Sequence, residues 1–495
     1  MKNISYISTR GNNAAVSSAQ AIKQGLANDG GLFMPEVIPA LTKEDFEFLK
    51  KSEYAERAAY IMSKFLTDYT YEELLADCKE SYSEKRFNGG AAPLKDIDNL
   101  RLLELWHGPT CAFKDMALQV MPRLLSRALV KTGEKRTAFI LVATSGDTGK
   151  AALEGYKDVD GIKIMVFYPV DGVSRVQKLQ MATQEGGNVN VCAIKGNFDD
   201  AQNGVKKIFG DGETAKLLDE NGYFFSSANS INWGRLVPQI VYYVSSYCDM
   251  VNKGDIAFGD EVNICVPTGN FGNIFAAYIA KMMGLPVNRF ICASNCNNIL
   301  TDFISTGTYD RNRAFHTTMS PSMDILISSN LERLLYVIAG SEKTAGFMKE
   351  LNTKGVYTVD AETKKKIEDS FSGYFCAEED TAKTIKETFD KYGYLIDTHT
   401  AVAVKCANEY IAETGDDRKI IVASTASPYK FASNVYTSLT GEALENEFDA
   451  LKATEKLSGS PIPAPLATLE SKKVRFTTVI DPEDMTAEVL KTLGI

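Results

Sequence analysis

Apolar and polar positions change rhythm along the 495-residue chain, and the change divides it. Through residue 95 the apolar positions recur every three to four residues, predicting helices over Ser17–Leu26, Lys43–Lys51 and Tyr71–Tyr82. Asp29-Gly30-Gly31 and Asn88-Gly89-Gly90 punctuate this stretch as turns, and it is expected to form a lid or an added domain. Beyond it, short β-branched runs alternate with helical periods, the pattern of a mostly parallel sheet with crossover helices. Strands are predicted at Thr137–Thr144, Lys163–Tyr168, Val189–Ile194, Val262–Pro267, Arg289–Ala293 and Lys419–Ser424. Helices are predicted at Ala112–Val130, Arg175–Gln184, Ala201–Phe209, Leu236–Val251, Asn273–Met283 and Thr400–Ala412. The charged stretch Asn352–Lys391 reads as solvated surface helices, and the tail with Pro461, Pro463 and Pro465 as an irregular strap leading to a short strand and a helix.

Composition narrows the class. Hydrophobic residues at 44% and charged residues at 24% describe a globular chain with a large core. The net charge of −10 opposes attraction to nucleic acid or anionic lipid. No run of about 18 apolar residues suggests a membrane span, and no leader precedes the first helix, so a cytoplasmic protein is expected. The nine cysteines are scattered in apolar runs and read as reduced core thiols. Cys292 and Cys296 have no second pair, and His107, His316 and His399 lie far apart, so no metal site is expected.

Two strand-to-helix turns carry the chemistry: Thr144-Ser-Gly-Asp-Thr-Gly149 and Pro267-Thr-Gly-Asn-Phe-Gly-Asn273. In an open α/β sheet such turns sit at the carboxyl ends of strands, where helix N-termini offer free amides to anions. Neither is a nucleotide loop. A Walker loop would need glycine where Thr144 stands, and both turns lack the Gly-x-Gly-x-x-Gly spacing. Either turn alone could be a tight bend, but two together suggest a ligand with two anionic ends. A third feature, Gly108-Pro-Thr-Cys-Ala-Phe-Lys-Asp115, places Lys114 near a helix start. Helix N-termini disfavour cations, which helps keep an amine neutral for attack on a carbonyl. The fourth, Ser424-Thr-Ala-Ser-Pro-Tyr-Lys-Phe431, follows an apolar strand, and Ser427 there reads as an N-cap ahead of Pro428.

A lysine, a Gly-Asn turn for a phosphate, a hydroxyl turn for a carboxylate and a strand ending in Ser-Thr are the parts for pyridoxal phosphate acting on an amino acid. The chain resembles the threonine synthases, within the tryptophan-synthase-β type (fold type II) of pyridoxal-phosphate enzymes. The resemblance runs in order through Ser8-Thr-Arg-Gly11, Gly30-Gly-Leu-Phe-Met-Pro35, Glu104–Asp115, Ala143–Gly149, Asn229-Ser-Ile-Asn-Trp-Gly-Arg235, Val266–Asn273, Asp397-Thr-His-Thr-Ala401 and Ser424–Phe431. It implies an α/β, two-lobed fold of mostly parallel sheets with crossover helices. An N-terminal domain over 1–95 would precede a catalytic core over 96–495, with a smaller lobe about 110–235, a larger lobe about 236–460 and a C-terminal strap.

The resemblance also implies roles. Lys114 would hold pyridoxal 5'-phosphate covalently. Gly269, Asn270, Phe271, Gly272 and Asn273 would bind its phosphate, and Thr425 its pyridine nitrogen. Ser145, Gly146 and Thr148 would take the substrate carboxylate, with Asp147 near the ring. Asn232 and Arg235 would take the substrate phosphate, Arg235 through its guanidinium fork. Lys430 is a lesser candidate for that phosphate, with the solvated surface its expected place, and His399 is expected in a structural role. The chain carries Ser427 where the family more often has His, and Asp397-Thr-His-Thr where it has Asp-Pro-His-Thr. The implied reaction is O-phospho-L-homoserine plus water giving L-threonine and phosphate, in a monomer or a homodimer. The alternatives are a phospholyase of the same fold yielding 2-oxobutyrate, and a catalytically silent homologue that binds the cofactor or an amino acid.

Overall fold

The computed structural model describes residues 3–12, 14–144 and 146–495. Two mostly parallel sheets dominate it. The larger has six strands in the order Phe371–Phe375, Val287–Ser294, Val262–Pro267, Ile420–Ser424, Leu100–Glu104 and Leu94–Ile97, the last running antiparallel to its neighbour. The smaller has five parallel strands in the order Val479–Ile480, Val189–Ile194, Ile162–Pro169, Thr137–Ala143 and Tyr223–Ser226. Strands such as Val262–Pro267 are buried along their whole length, as sheets covered on both faces by crossover helices require.

The six strands predicted in the core are present with bounds within two residues, and the tail carries the expected short strand and helix, at Val479–Ile480 and Met485–Leu493. Two expectations need correction. The predicted helix Ala112–Val130 is broken into Asp115–Leu118 and Met121–Lys131. Pro122 explains the break: it lacks the N–H that would continue the first helix, and it sits in the first turn of the second, where that N–H is not needed. The charged stretch 352–391 is not helical throughout. Between the helices Ala361–Glu368 and Glu378–Tyr392 it contributes Phe371–Phe375, an edge strand of the larger sheet, whose Phe371 packs on Phe290 and Phe271. An edge strand is half-solvated, and that masked its period.

Among the described residues the N-terminal region holds four helices, Ser18–Gln24, Lys43–Lys51, Tyr54–Phe65 and Tyr71–Ser81, plus the paired strands Tyr6–Ser8 and Phe33–Pro35. Thr42 and Thr70 start two of the helices with reciprocal capping boxes. The region shares its core with the rest of the chain rather than forming a detached lid. Tyr6 and Phe65 stand edge-on to Trp233 at 5.5 and 5.7 Å between ring centres. Buried Arg57 reaches Ser245 Oγ at 2.8 Å and Asp249 at 2.6 Å on the long helix Trp233–Lys253. The aromatic contacts hold the start of that helix and the Arg57 contacts its second half.

Close packing also fixes the helix Asp147–Tyr156. At Gly155 it lies so near the turn after Asp115–Leu118 that a Cβ would stand 1.9 Å from the Leu118 carbonyl oxygen. Alanine normally improves a helix interior by roughly 0.5–1 kcal/mol over glycine. Here the overpacking should reverse the sign, costing about 1–3 kcal/mol. Gly155→Ala protein is therefore expected to unfold at lower denaturant with an unchanged m-value, and an unfolding midpoint at or above that of the parent would contradict this contact.

Candidate active site

Loops leaving the carboxyl ends of strands in both sheets meet at Lys114: Asp147 follows Thr137–Ala143 of the smaller sheet, and Thr425 follows Ile420–Ser424 of the larger. That lysine is placed from both sides. Asp115, fully buried, accepts from the Thr110 N–H and hydroxyl at 2.8 Å each, folding the loop back on itself. Burial pushes the Asp115 carboxyl up to about 7. The loop is then zipped to the segment after strand Ile420–Ser424: Phe113 N–H donates to the Thr425 carbonyl at 2.8 Å and Ser427 N–H to the Cys111 carbonyl at 3.0 Å. Lys114 and Thr425 are thereby brought together across neighbouring strands.

The Lys114 amine lies 3.5 Å from Asp147 Oδ2 and 3.5 Å from Ser322 Oγ. Burial moves its pKa below that of an ordinary lysine; Asp147 opposes the shift, and the cations Lys430 and Arg235 add to it. This is the direction a nucleophilic amine needs. Asp147 itself is held well below the usual carboxylate range despite burial, because Lys430, Lys114 and the Gln177 amide all favour its charged form. Gln177 Nε2 donates to Asp147 Oδ1 at 2.9 Å, and Lys430 Nζ lies 2.6 Å from the same oxygen.

Lys430 overturns its expected place on the solvated surface. Only 2% of it is exposed, and its amine also donates to the Thr110 carbonyl at 3.1 Å. The short helix Pro428–Phe431 turns it inward, started by Ser427, which caps Tyr429 N–H as predicted. Sequence gave no sign of this, since the partner carboxylate is 283 positions away.

The turn after strand Val262–Pro267 forms an anion cradle. Phe271 adopts a left-handed φ of 61° as it starts the helix Gly272–Met282. None of the five backbone N–H groups from Gly269 to Asn273 meets an acceptor among the described residues. Successive free amides at a helix start bind anions such as phosphate. Asn273 is anchored by Tyr242 and Tyr243, whose hydroxyls donate to its side-chain oxygen at 2.6 and 2.5 Å, while its Nδ2 stays buried without a partner among the described residues. The segment Ser320–Asp324 crosses Gly269 so closely that a Cβ there would stand 2.9 Å from the Ser322 carbonyl oxygen. The second turn offers a similar but smaller cradle, in which Thr144 Oγ1 accepts from the Gly146 and Gly149 N–H groups at 3.0 Å each. Gly146, Asp147 and Thr148 stand at this helix start; Ser145 lies outside the described residues.

Asn232 and Arg235 separate in role. The expectation that Asn232 meets a phosphate gives way to a capping role. Its oxygen accepts from Gly234 N–H at 2.9 Å, and its amide donates to the Ile22 and Ser227 carbonyls at 2.9 and 3.0 Å, leaving no free donor. Arg235 is different. It is buried, donates through Nη1 to the Ala228 carbonyl at 2.6 Å, and keeps Nε unpartnered among the described residues. Burial lowers its pKa to about 10, and only the hydroxyls of Tyr156 and Tyr242 oppose the shift. A buried guanidinium facing no carboxylate among the described residues is a site for an incoming anion.

Sequence reasoning missed Ser322 and Gln177 as members of this site, and placed His399 only as structural. His399 is buried and accepts the Ser322 N–H at 3.1 Å through Nε2. The Asp397-Thr-His-Thr motif was the available signal.

A buried lysine between two anion cradles defines a class: residues 90–425 match the family described as pyridoxal-phosphate dependent enzyme. Residues 5–82 and 400–489 match the families described as threonine synthase N terminus and threonine synthase, C-terminal. With a threonine synthase of Pseudomonas aeruginosa 38% identical over 446 residues, covering 88% of this chain and 91% of that protein, the chain belongs to the threonine synthase family. Human threonine synthase-like 1 is 39% identical over 436 residues, 85% of this chain but 58% of its own length. This chain thus spans little more than half of that longer relative. A crystal structure of pyridoxal-phosphate-bound threonine synthase from Brucella melitensis superposes with a TM-score of 0.88 at 36% identity, covering 99% of this chain and 100% of that one.

Proposed function

We propose that this chain converts O-phospho-L-homoserine and water to L-threonine and phosphate, using pyridoxal 5'-phosphate. The observation that carries the reading is the set of cations and cradles around one buried amine. Lys114 reaches Asp147 at the start of helix Asp147–Tyr156 and Ser322 on the segment that crosses the Gly269–Asn273 turn, and the buried Arg235 guanidinium acts on it as a nearby cation. The residues fit the cofactor: a carbonyl-reactive lysine, five free amides for its phosphate and the unsatisfied Asn273 Nδ2 beside them. Threonine synthases of similar sequence and fold support the particular reaction.

When bound, pyridoxal phosphate supplies the electron sink that lets the substrate lose protons from Cα and then Cβ before phosphate leaves Cγ. The protein supplies the rest. Lys114 would take the proton from Cα and carry the further proton moves at Cβ and Cγ, a task suited to an amine whose pKa burial has lowered. The Asp147 and Thr148 amides at their helix start hold the substrate carboxylate. Arg235 holds the substrate phosphate and, after its release, keeps it near Cβ where water adds. Thr425, whose carbonyl accepts from the residue before Lys114, would take the pyridine nitrogen. Burial excludes other water until phosphate has gone. The nine free thiols suit a reducing compartment, and we place the enzyme in the cytoplasm.

The test is to load the purified protein with pyridoxal phosphate, add O-phospho-L-homoserine and measure phosphate, threonine and 2-oxobutyrate. Equal phosphate and threonine are expected; phosphate with 2-oxobutyrate would mean a lyase, and no phosphate would reject both. Arg235→Gln protein should retain the cofactor while the KM for substrate rises. A charged hydrogen bond of about 1.5–3 kcal/mol corresponds to roughly 10–150-fold. An unchanged KM would remove Arg235 from the substrate site.

A further inference from the structure

Asp397 and His399 open the helix Thr398–Thr414, and both are buried. Asp397 Oδ1 accepts from the Thr400 N–H at 3.1 Å and from its hydroxyl, while Oδ2 accepts from the His399 N–H at 2.9 Å and faces His399 Nδ1 at 2.8 Å. A carboxylate at that distance keeps the proton on Nδ1, and Nε2 is left as a bare acceptor. Nε2 takes the backbone N–H of Ser322 at 3.1 Å, and the ring is backed by Phe431 at 4.8 Å between centres. Ser322 belongs to the segment that crosses the phosphate cradle. The ends of that segment are held by side chains: Asn295 Nδ2 donates to Ser320 Oγ at 3.0 Å and to Asp324 Oδ1 at 2.7 Å, and Asn297 Nδ2 donates to the same Asp324 oxygen at 2.9 Å. At its centre, the polar side chain that holds the backbone N–H is His399. The Ser322 hydroxyl, in turn, lies 3.5 Å from Lys114 Nζ and 3.4 Å from Asp147 Oδ2.

We propose that Asp397 and His399 are positioning residues that aim the Lys114 amine through Ser322. The carboxylate sets the tautomer, the imidazole pins the Ser322 backbone, and the Ser322 hydroxyl accepts from Lys114 while donating to Asp147. This fixes the direction in which the amine meets the carbon it attacks. The inference rests on the reading of Lys114 as the cofactor-binding, proton-carrying amine.

Two measurements that need no turnover test it. One is the rate at which Lys114 in the cofactor-stripped protein captures added pyridoxal phosphate, read by borohydride trapping and peptide mass. The other is backbone hydrogen exchange at Ser322 in the loaded protein. Ser322→Ala is expected to slow capture about tenfold to a hundredfold, the cost of misaiming a reacting group, with exchange unchanged elsewhere. His399→Leu is expected to slow capture as much and to speed Ser322 exchange by about tenfold. His399→Gln, whose side-chain oxygen can occupy the place of Nε2, should recover most of both losses. The double variant Ser322→Ala/His399→Leu should be no slower than the worse single one, because both act through one group. In turnover, kcat should fall with KM nearly constant. Wild-type capture and exchange in His399→Leu, or fully additive losses in the double variant, would overturn the proposal. Absence of threonine from the parent protein would reject the proposed reaction alone, since capture and exchange would still report on His399.

Discussion

Lys114→Ala protein is expected to lose turnover by at least about 10³-fold, since in the proposed reaction a single group carries both the capture of the cofactor and the proton transfers on substrate. Loss should be just as deep in Lys114→Arg, because a guanidinium keeps the charge but stays protonated. The pH dependence follows from the shift. The folded protein holds Lys114 below its ordinary pKa, so the neutral amine is present further toward neutral pH than for a surface lysine, and the acid limb of the rate profile should report that lowered value. Borohydride reduction of the loaded parent protein should fix the cofactor on the peptide containing Lys114, and the alanine variant should show no such adduct. An adduct on another lysine would displace Lys114 from the centre of the site.

Much of this arrangement was legible in the sequence, and the limits of that legibility have physical causes. The core strands were readable because a fully buried parallel strand is a short continuous β-branched run bounded by turns. The two anion cradles and Lys114 were readable because each depends on local chain geometry: a strand ends, a glycine-containing turn follows, a helix begins. The edge strand Phe371–Phe375 was hidden because one side of it is solvated, so its charged neighbours imposed a helical period on the whole stretch. Lys430, Gln177 and Ser322 were hidden for another reason. Their significance is the carboxylate of Asp147, which lies 283, 30 and 175 positions away, and no local pattern encodes a contact at that separation. The misjudged Asn232 shows the converse. Its motif was visible, but an asparagine at a helix start is as well suited to capping as to binding, and only the Ile22 and Ser227 carbonyls decide between them.

Replacing Lys430 by methionine should expose how much of the site rests on one buried ion pair. Methionine matches the length of the lysine stem but leaves Asp147 without the strongest of its charge partners. Breaking a buried pair by removing one member costs about 3–5 kcal/mol, far more than a surface pair is worth. Asp147 has a depressed pKa in the folded parent, so its contribution to stability is present above the unfolded carboxylate pKa and is lost as pH falls through the folded one. In the variant the Asp147 pKa rises, so the destabilisation should be greatest near neutral pH and shrink as acid protonates the stranded carboxylate. Lys114 responds in the opposite sense to function. With Lys430 gone, a cation that lowered its pKa is removed and Lys114 becomes the cation nearest Asp147, so the Lys114 pKa rises and the acid limb of the rate profile moves to higher pH. Lys430→Met/Asp147→Asn protein removes both charges together and should lose less stability than the sum of the two single variants, because the coupling between them is what each single change destroys. Urea unfolding at several pH values, with the rate profile alongside, measures all of this. An unfolding midpoint equal to that of the parent at neutral pH, or an acid limb that stays in place, would show that Lys430 is not the group that keeps Asp147 charged and Lys114 reactive.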